Sequence, residues 1–268
     1  MTTVSRSITI ATMLYGRIDE LLNQLERLCT QDYAGTWDII LWNNDFSKVD
    51  EINTIVAPFY SRLKMRVVHS AHNYHCMART AVAALAECEL VLMMDDDVIP
   101  ERTYLSEFAS AYERVANQRG DLNFALCACG HRFGPSAAGA PASMVWEQRQ
   151  GLQFLDQTAA ESDVDFAHGN NFLIARTLFL QAAARPMPNA QFGLVDDYWF
   201  SYVLCHHLHC TLVKISLPDA FVFSDSAFEP ARAMFYRKDV HAARLAFFAY
   251  HVQCGWPSLI VTGAPATP

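Results

Sequence analysis

Residues 89–100 read Glu89-Leu-Val-Leu-Met-Met-Asp-Asp-Asp-Val-Ile-Pro100, and the fold class follows from how this stretch is interpreted. Leu90 to Met94 is an uninterrupted apolar run, the pattern of a strand buried on both faces. The run stops at three consecutive carboxylates, Asp95, Asp96 and Asp97, and Pro100 limits any ladder beyond them. Adjacent like charges at the mouth of a core strand raise one another's pKa and cost stability. A divalent cation relieves that repulsion, and carboxylate oxygens suit Mg²⁺, Mn²⁺ or Ca²⁺. In extended geometry Asp95 and Asp97 share one face while Asp96 opposes them, which makes Asp95-x-Asp97 the expected working pair. The alternative is an acidic, solvated turn behind an ordinary strand.

Upstream, the chain alternates. Strands are predicted over 7–13, 37–42 and 65–69, and helices over 18–29, 48–59 and 77–88, before the acidic strand itself. Strand, helix, strand, helix predicts a mostly parallel sheet with helices on its faces, an α/β fold. Ligands of such sheets bind at the carboxyl ends of the strands, where the aspartates sit. Downstream the pattern changes. A helix over 102–117 and a strand over 123–129 precede a loop at 131–143 rich in Gly, Pro and Ala. A strand-like segment follows at 166–174, where Gly169 marks a bulge or a close backbone approach. A short helix at 178–184, a helix opening at Asp196-Asp197, a strand at 212–215 and a helical tail complete the chain.

With 268 residues, 52% apolar and 18% charged, the chain can bury a large core and is globular. Its net charge of −8, without a basic run, argues against nucleic-acid binding. No apolar run approaches a membrane span, and Met1 to Ser7 lacks the apolar core of a signal peptide. The eight cysteines are scattered, which predicts free thiols and a cytoplasmic location, in solution or peripheral to a membrane. The cluster Cys205-His-His-Leu-His-Cys210 lacks the separated ligand pairs of zinc sites and reads as a helix-to-strand junction.

Leu41-Trp-Asn-Asn44, Leu92-Met-Met-Asp-Asp-Asp97, Val195-Asp-Asp197 before a helix, and Met234-Phe-Tyr-Arg-Lys238 with His241 and Arg244 occur in that order. In this order they resemble a glycosyltransferase of the GT-A fold, nearest to the exostosin-like family, with the general family-2-like transferases almost as similar. The resemblance implies one domain over 1–268, in which 1–100 binds the nucleotide-sugar and 101–268 builds the acceptor side. It also implies a UDP-sugar donor, a glycan or lipid-linked glycan acceptor and a Mn²⁺ or Mg²⁺ cofactor.

On that resemblance Asp97 ligates the cation, Asp95 reaches the ribose or a metal-bound water, and Asp96 orders the loop. Asp197 faces the acceptor hydroxyl and Asp196 positions the acceptor, the alternative being plain capping of the helix start. Thr12, Tyr15 and Arg17, then Asn44 and Asp45, then Asn73 and Arg79, lie just past successive strands and are expected to hold the nucleotide. Arg79 can contact phosphate or pair with an aspartate of the cluster. Arg237 and Lys238 are cationic candidates for the diphosphate, and His241 for a third metal ligand. His168, Asn170, Asn171 and Trp199 are expected on the acceptor side, where Trp146 could also stack on a sugar.

Two rivals remain. An apolar strand ending in Asp-x-Asp also resembles the haloacid-dehalogenase phosphohydrolases, which carry the motif on their first strand, whereas three strands precede it here. A non-catalytic module that binds sugar-nucleotides or glycans would have kept the fold and lost turnover.

Overall fold

A computed structural model describes residues 5–133, 150–152, 161–231 and 233–253. The predicted alternation is present: β1 (Ile8–Leu14), α1 (Leu21–Leu28), β2 (Trp37–Asn43), α2 (Val49–Val56), β3 (Met65–His69), α3 (Ala78–Leu85) and β4 (Leu90–Met94). All five residues of β4 are buried, as a strand covered on both faces must be. There follow β5 (Val98–Pro100), α4 (Tyr104–Arg119), β6 (Phe124–Cys127), β7 (Gly130–Arg132), β8 (Gln150–Leu152), β9 (Ser162–Val164) and β10 (Phe166–Ala167). The described chain ends with β11 (Asn171–Ala175), α5 (Arg176–Ala183), α6 (Asp196–Tyr202), β12 (Thr211–Lys214), β13 (Phe221–Phe223) and α7 (Lys238–Gln253).

Eight strands form one sheet in the order β3-β2-β1-β4-β11-β6-β12-β9. The first four are parallel, β11 runs antiparallel between β4 and β6, and β12 is parallel to β6. The edge strand β9 is antiparallel to β12. A strand from late in the chain therefore zips directly onto the acidic strand, Asn171 opposite Met94. Helices cover both faces. Leu25, Ile52 and Phe108 of α1, α2 and α4 fill one core, while Val82, Phe179, Trp199 and Phe247 of α3, α5, α6 and α7 fill the other. No described helix is long and apolar enough to cross a membrane.

Two expectations are corrected by the backbone. The predicted strand at 166–174 is two strands in different sheets, because the chain turns at Gly169-Asn170 and leaves β10 paired with β7. The alternation expected of Asp95, Asp96 and Asp97 fails because β4 ends at Met94 and the three aspartates form a turn. The Val98 amide donates to the Asp95 carbonyl at 3.2 Å. Buried Gln24 of α1 holds that turn from below, its Nε2 donating to the carbonyls of Asp95 (3.1 Å) and Val98 (2.8 Å).

Candidate active site

In the turn, Asp96 and Asp97 pair with Arg17, whereas Asp95 pairs with Arg79. Arg17, just past β1, donates from Nη2 to Asp96 Oδ1 at 2.7 Å and from Nη1 to Asp97 Oδ2 at 2.6 Å. The Tyr15 amide adds a 3.4 Å contact to Asp96, while the Tyr15 ring stands exposed. Burial, with the neighbouring carboxylates against it and Arg17 in its favour, pushes Asp96 up to about 7. Burial and the charge on Asp95 likewise raise Asp97. Two carboxylates share a single guanidinium here, so the cluster carries more negative charge than its fixed cation offsets.

Asp95 turns instead to Arg79, which donates to its Oδ1 from Nη2 at 2.6 Å. The other Nη of Arg79 reaches Asp196 Oδ1 at 2.7 Å. Asp196 and Asp197 do open a helix, the first turn of α6. Asp196 is fully buried, with its carboxylate on Arg79. Asp197 retains 22% of its side-chain surface. Burial and the charge of Asp196 push its carboxyl up to about 7, with Arg79 and Arg244 pulling it back down. His168 lies on the same side, its Nδ1 at 4.0 Å from Asp197 Oδ2. The His168 Nε2 is 2.8 Å from Nε2 of His131, so one ring donates to the other.

The segment carrying His168 is tied to the acidic turn by backbone, the Asp95 amide donating to the Asn170 carbonyl at 3.0 Å. Gly169 passes directly over Arg79, and a β-carbon there would lie 2.9 Å from the guanidinium carbon. That is the close backbone approach the sequence indicated. Arg79, Asp196 and Asp197 line a small recess together with Met93, Phe172, Phe179 and Phe200.

Other expected ligands are elsewhere. Thr12 is fully buried within β1, and Asn171 is fully buried with its Oδ1 accepting from the Tyr104 hydroxyl at 2.6 Å. Trp199 is in the core against Tyr202, which removes it from the acceptor surface. Asn44 is a brace: its Oδ1 accepts from Trp42 Nε1 and the Tyr74 amide, and its Nδ2 donates to the His75 carbonyl. Asp45 caps a turn through Ser47, and Asn73 accepts from the His75 amide at 2.7 Å. These residues brace the loops beyond β2 and β3 from within. Arg237 pairs with Asp239 at 2.5 Å, Lys238 and His241 are exposed in the first turn of α7, and none of the three contacts the aspartates among the described residues. Trp146 and the loop beyond residue 133 lie outside the described residues.

Sequence reading missed the partnership of His131 with His168, whose 37-residue separation has no periodic signature. It also gave buried Arg244, packed over Phe235 at 5.0 Å, no role beside Asp197. The junction reading of residues 205–210 agrees with a wide helical turn over Val203–His207. There burial pushes His206 down to about 4, and no group of three metal-ligating side chains is gathered among the described residues.

Comparison with solved structures identifies the architecture. The chain resembles S. aureus TarS 1-349 in complex with UDP, with a TM-score of 0.58 and 15% identity over 90% of this chain and 65% of that one. The complex of TarS 1-349 with UDP-GlcNAc gives a TM-score of 0.56 and 14% identity, over 88% of this chain and 64% of that chain. A longer S. aureus TarS gives 0.57 and 14%, with 82% of this chain but only 37% of that one covered. The chain thus spans between about a third and two thirds of the TarS chains it matches. Comparison with curated proteins gives no match. At such low identities the likeness establishes the α/β fold, a mostly parallel mixed sheet flanked by helices, as in GT-A glycosyltransferase structures. Of the two families resembled in sequence, the match is to the second. Residues 9–181 fit the profile described as Glycosyl transferase family 2, and the chain belongs to that family.

Proposed function

We propose that this protein is a metal-dependent glycosyltransferase that moves a sugar from a UDP-sugar to a hydroxyl of a glycan or lipid-linked glycan. The observation that carries the reading is the juxtaposition, across Arg79, of an acidic turn at the carboxyl edge of the sheet with a half-shielded Asp197. Crystallisation of TarS with UDP and UDP-GlcNAc supports a UDP-linked hexose or N-acetylhexosamine as donor.

The donor set fits a cation held jointly with substrate. Mg²⁺ and Mn²⁺ sites of this type use one or two carboxylates and take their remaining oxygens from phosphates and water. Asp97 and Asp95 each have one carboxylate oxygen on an arginine, which leaves the other for such a role. Asp96 stays with Arg17 and orders the turn. When bound, the cation offsets charge that accumulates on the departing diphosphate. His241, Arg237 and Lys238, on the exposed start of α7, are assigned to the diphosphate side, with His241 a further ligand if that helix start moves inward.

Asp197 is the base. A carboxylate held near 7 keeps a useful unprotonated fraction at neutral pH and still accepts a proton readily. As the bond between the anomeric carbon and the diphosphate oxygen breaks, the acceptor oxygen bonds that carbon. The acceptor proton passes to Asp197, and the nucleoside diphosphate leaves with the electron pair. His168 borders the acceptor beside Asp197.

The test is a thermal-shift screen of UDP, UDP-glucose and UDP-GlcNAc with and without Mn²⁺, followed by an assay of UDP release. A Mn²⁺-dependent rise in melting temperature is expected, since ligand that binds only the native state stabilises it by mass action. Asp97→Ala should abolish that rise, and an undiminished rise would remove the metal assignment. Phosphate release from an aryl phosphate without nucleotide-sugar turnover would replace this reading by a phosphohydrolase. Binding without turnover would replace it by a sugar-nucleotide binding module.

A further inference from the structure

We infer that Arg79 is a positioning residue that fixes the acceptor-side base relative to the donor-side acidic turn; this rests on the glycosyltransferase reading of the site. One guanidinium joins two carboxylates from distant parts of the chain, Asp95 at 16 residues and Asp196 at 117 residues' separation. Each contact uses a different Nη, at 2.6 and 2.7 Å. The planar fork holds both directions at once, which a lysine ammonium on a single flexible stem does not do.

Three observations show that the strut is built rather than incidental. Arg79 is only 9% exposed, so water screens its pairs little. It lines the recess with Phe172, Phe179 and Phe200, whose apolar surroundings strengthen those pairs further. Gly169 passes so close that a side chain there would meet the guanidinium, which leaves Arg79 little room to shift. Asp197 follows Asp196 in the first turn of α6, hence whatever orients Asp196 orients the base. Arg79 Nε and Asp196 Oδ2 have no hydrogen-bond partner, so the grip on Asp196 passes through a single bond. Breaking that one bond should uncouple the base while the donor turn keeps Arg17 and the Arg79–Asp95 pair.

The experiment uses the full chain, with UDP release from UDP-GlcNAc or UDP-glucose in Mn²⁺ as readout and UDP binding measured separately. Three variants are compared: Asp196→Asn, Arg79→Lys, and the double variant Arg79→Met with Asp196→Asn. The double variant removes the two most buried charges together, a replacement that is often near neutral for stability, and leaves only the more exposed Asp95 without its arginine. Expected are retained UDP affinity and a little-changed KM for donor in Asp196→Asn, which leaves the Arg79–Asp95 pair in place, whereas the two Arg79 variants also loosen the donor turn. In each, kcat should fall by about 100-fold, the scale for a misplaced catalytic group. If the double variant or Asp196→Asn folds and turns over at the wild-type rate, Arg79 serves the fold alone and the inference is overturned. Should the double variant fail to fold, Asp196→Asn decides by the same criterion. Absence of UDP release by the wild-type chain from either donor would instead overturn the glycosyltransferase reading, and the inference with it.

Discussion

Replacing Gly169 by alanine tests the packing of the site at its tightest point. The new β-carbon would lie 2.9 Å from Cζ and Nη1 of Arg79 and 3.3 Å from Nη2. Carbon contacts settle at about 3.5–4.0 Å, so the guanidinium must retreat by roughly 0.6–1.1 Å. Such a retreat takes ion pairs of 2.6 and 2.7 Å past the limit of about 3.2 Å for a good hydrogen bond. The φ of Gly169 lies outside the left-handed region, so alanine brings no backbone penalty and the effect is steric. Overpacking of this kind costs about 1–3 kcal/mol. At about 2–4 °C per kcal/mol for a chain of this size, the melting temperature should fall by roughly 2–12 °C. Turnover should fall further than stability accounts for, because both carboxylates lose their common anchor. Differential scanning fluorimetry and UDP release read the two effects. Gly193→Ala is the control: its β-carbon would meet Met77 Cγ at 2.6 Å, and a thioether side chain yields where a doubly paired guanidinium does not. Gly169→Ala with wild-type melting and turnover would show that Arg79 shifts freely and refute the argument.

Asp197→Asn should abolish turnover and also stabilise the protein. The folded pKa of about 7 lies above the ordinary carboxylate value, so between those two values the folded state holds a proton that the unfolded state has lost, and stability falls as pH rises from the ordinary carboxylate range to about 7 and levels off above it. The variant should therefore melt higher than wild type at pH 8, with an advantage that shrinks steadily as pH falls from about 7 toward 4; an advantage that does not change over that range would mean that Asp197 is not held up. Wild-type turnover should correspondingly lose its acid limb as pH falls below about 7. Arg17→Met leaves Asp96 and Asp97 without their shared cation, and breaking a largely buried pair costs about 3–5 kcal/mol. Mn²⁺ should restore part of that loss, and a melting curve indifferent to Mn²⁺ would count against a cation at the turn.

The parallel half of the sheet was legible because its strands are long, apolar and spaced by amphipathic helices, as in β1, β2 and β4. The short strands β5, β7, β10 and β13 were not, since two or three residues carry no period and pair only because the chain brings partners beside them. The aspartates were legible as a cluster by charge alone. Their partners were legible only in part: Arg79 was an anticipated partner of that cluster, whereas Arg17 was expected on the nucleotide. Asn171 and Trp199 were read as surface ligands from residue type, yet pairing of β11 with β4 and packing of α6 bury them.

Local chemistry thus specified a buried strand ending in three carboxylates, a helix opening with two more, and the GT-A fold that carries them, but not which of two resembled families. Which carboxylate faces which cation was decided by the tertiary structure. A turn after Met94 replaced strand alternation, and Arg79 lies where two segments 101 residues apart (196 − 95) converge. Periodicity reports only whether a side chain points inward. The pairing of buried charges depends on distances of a few ångströms between elements that no sequence spacing encodes.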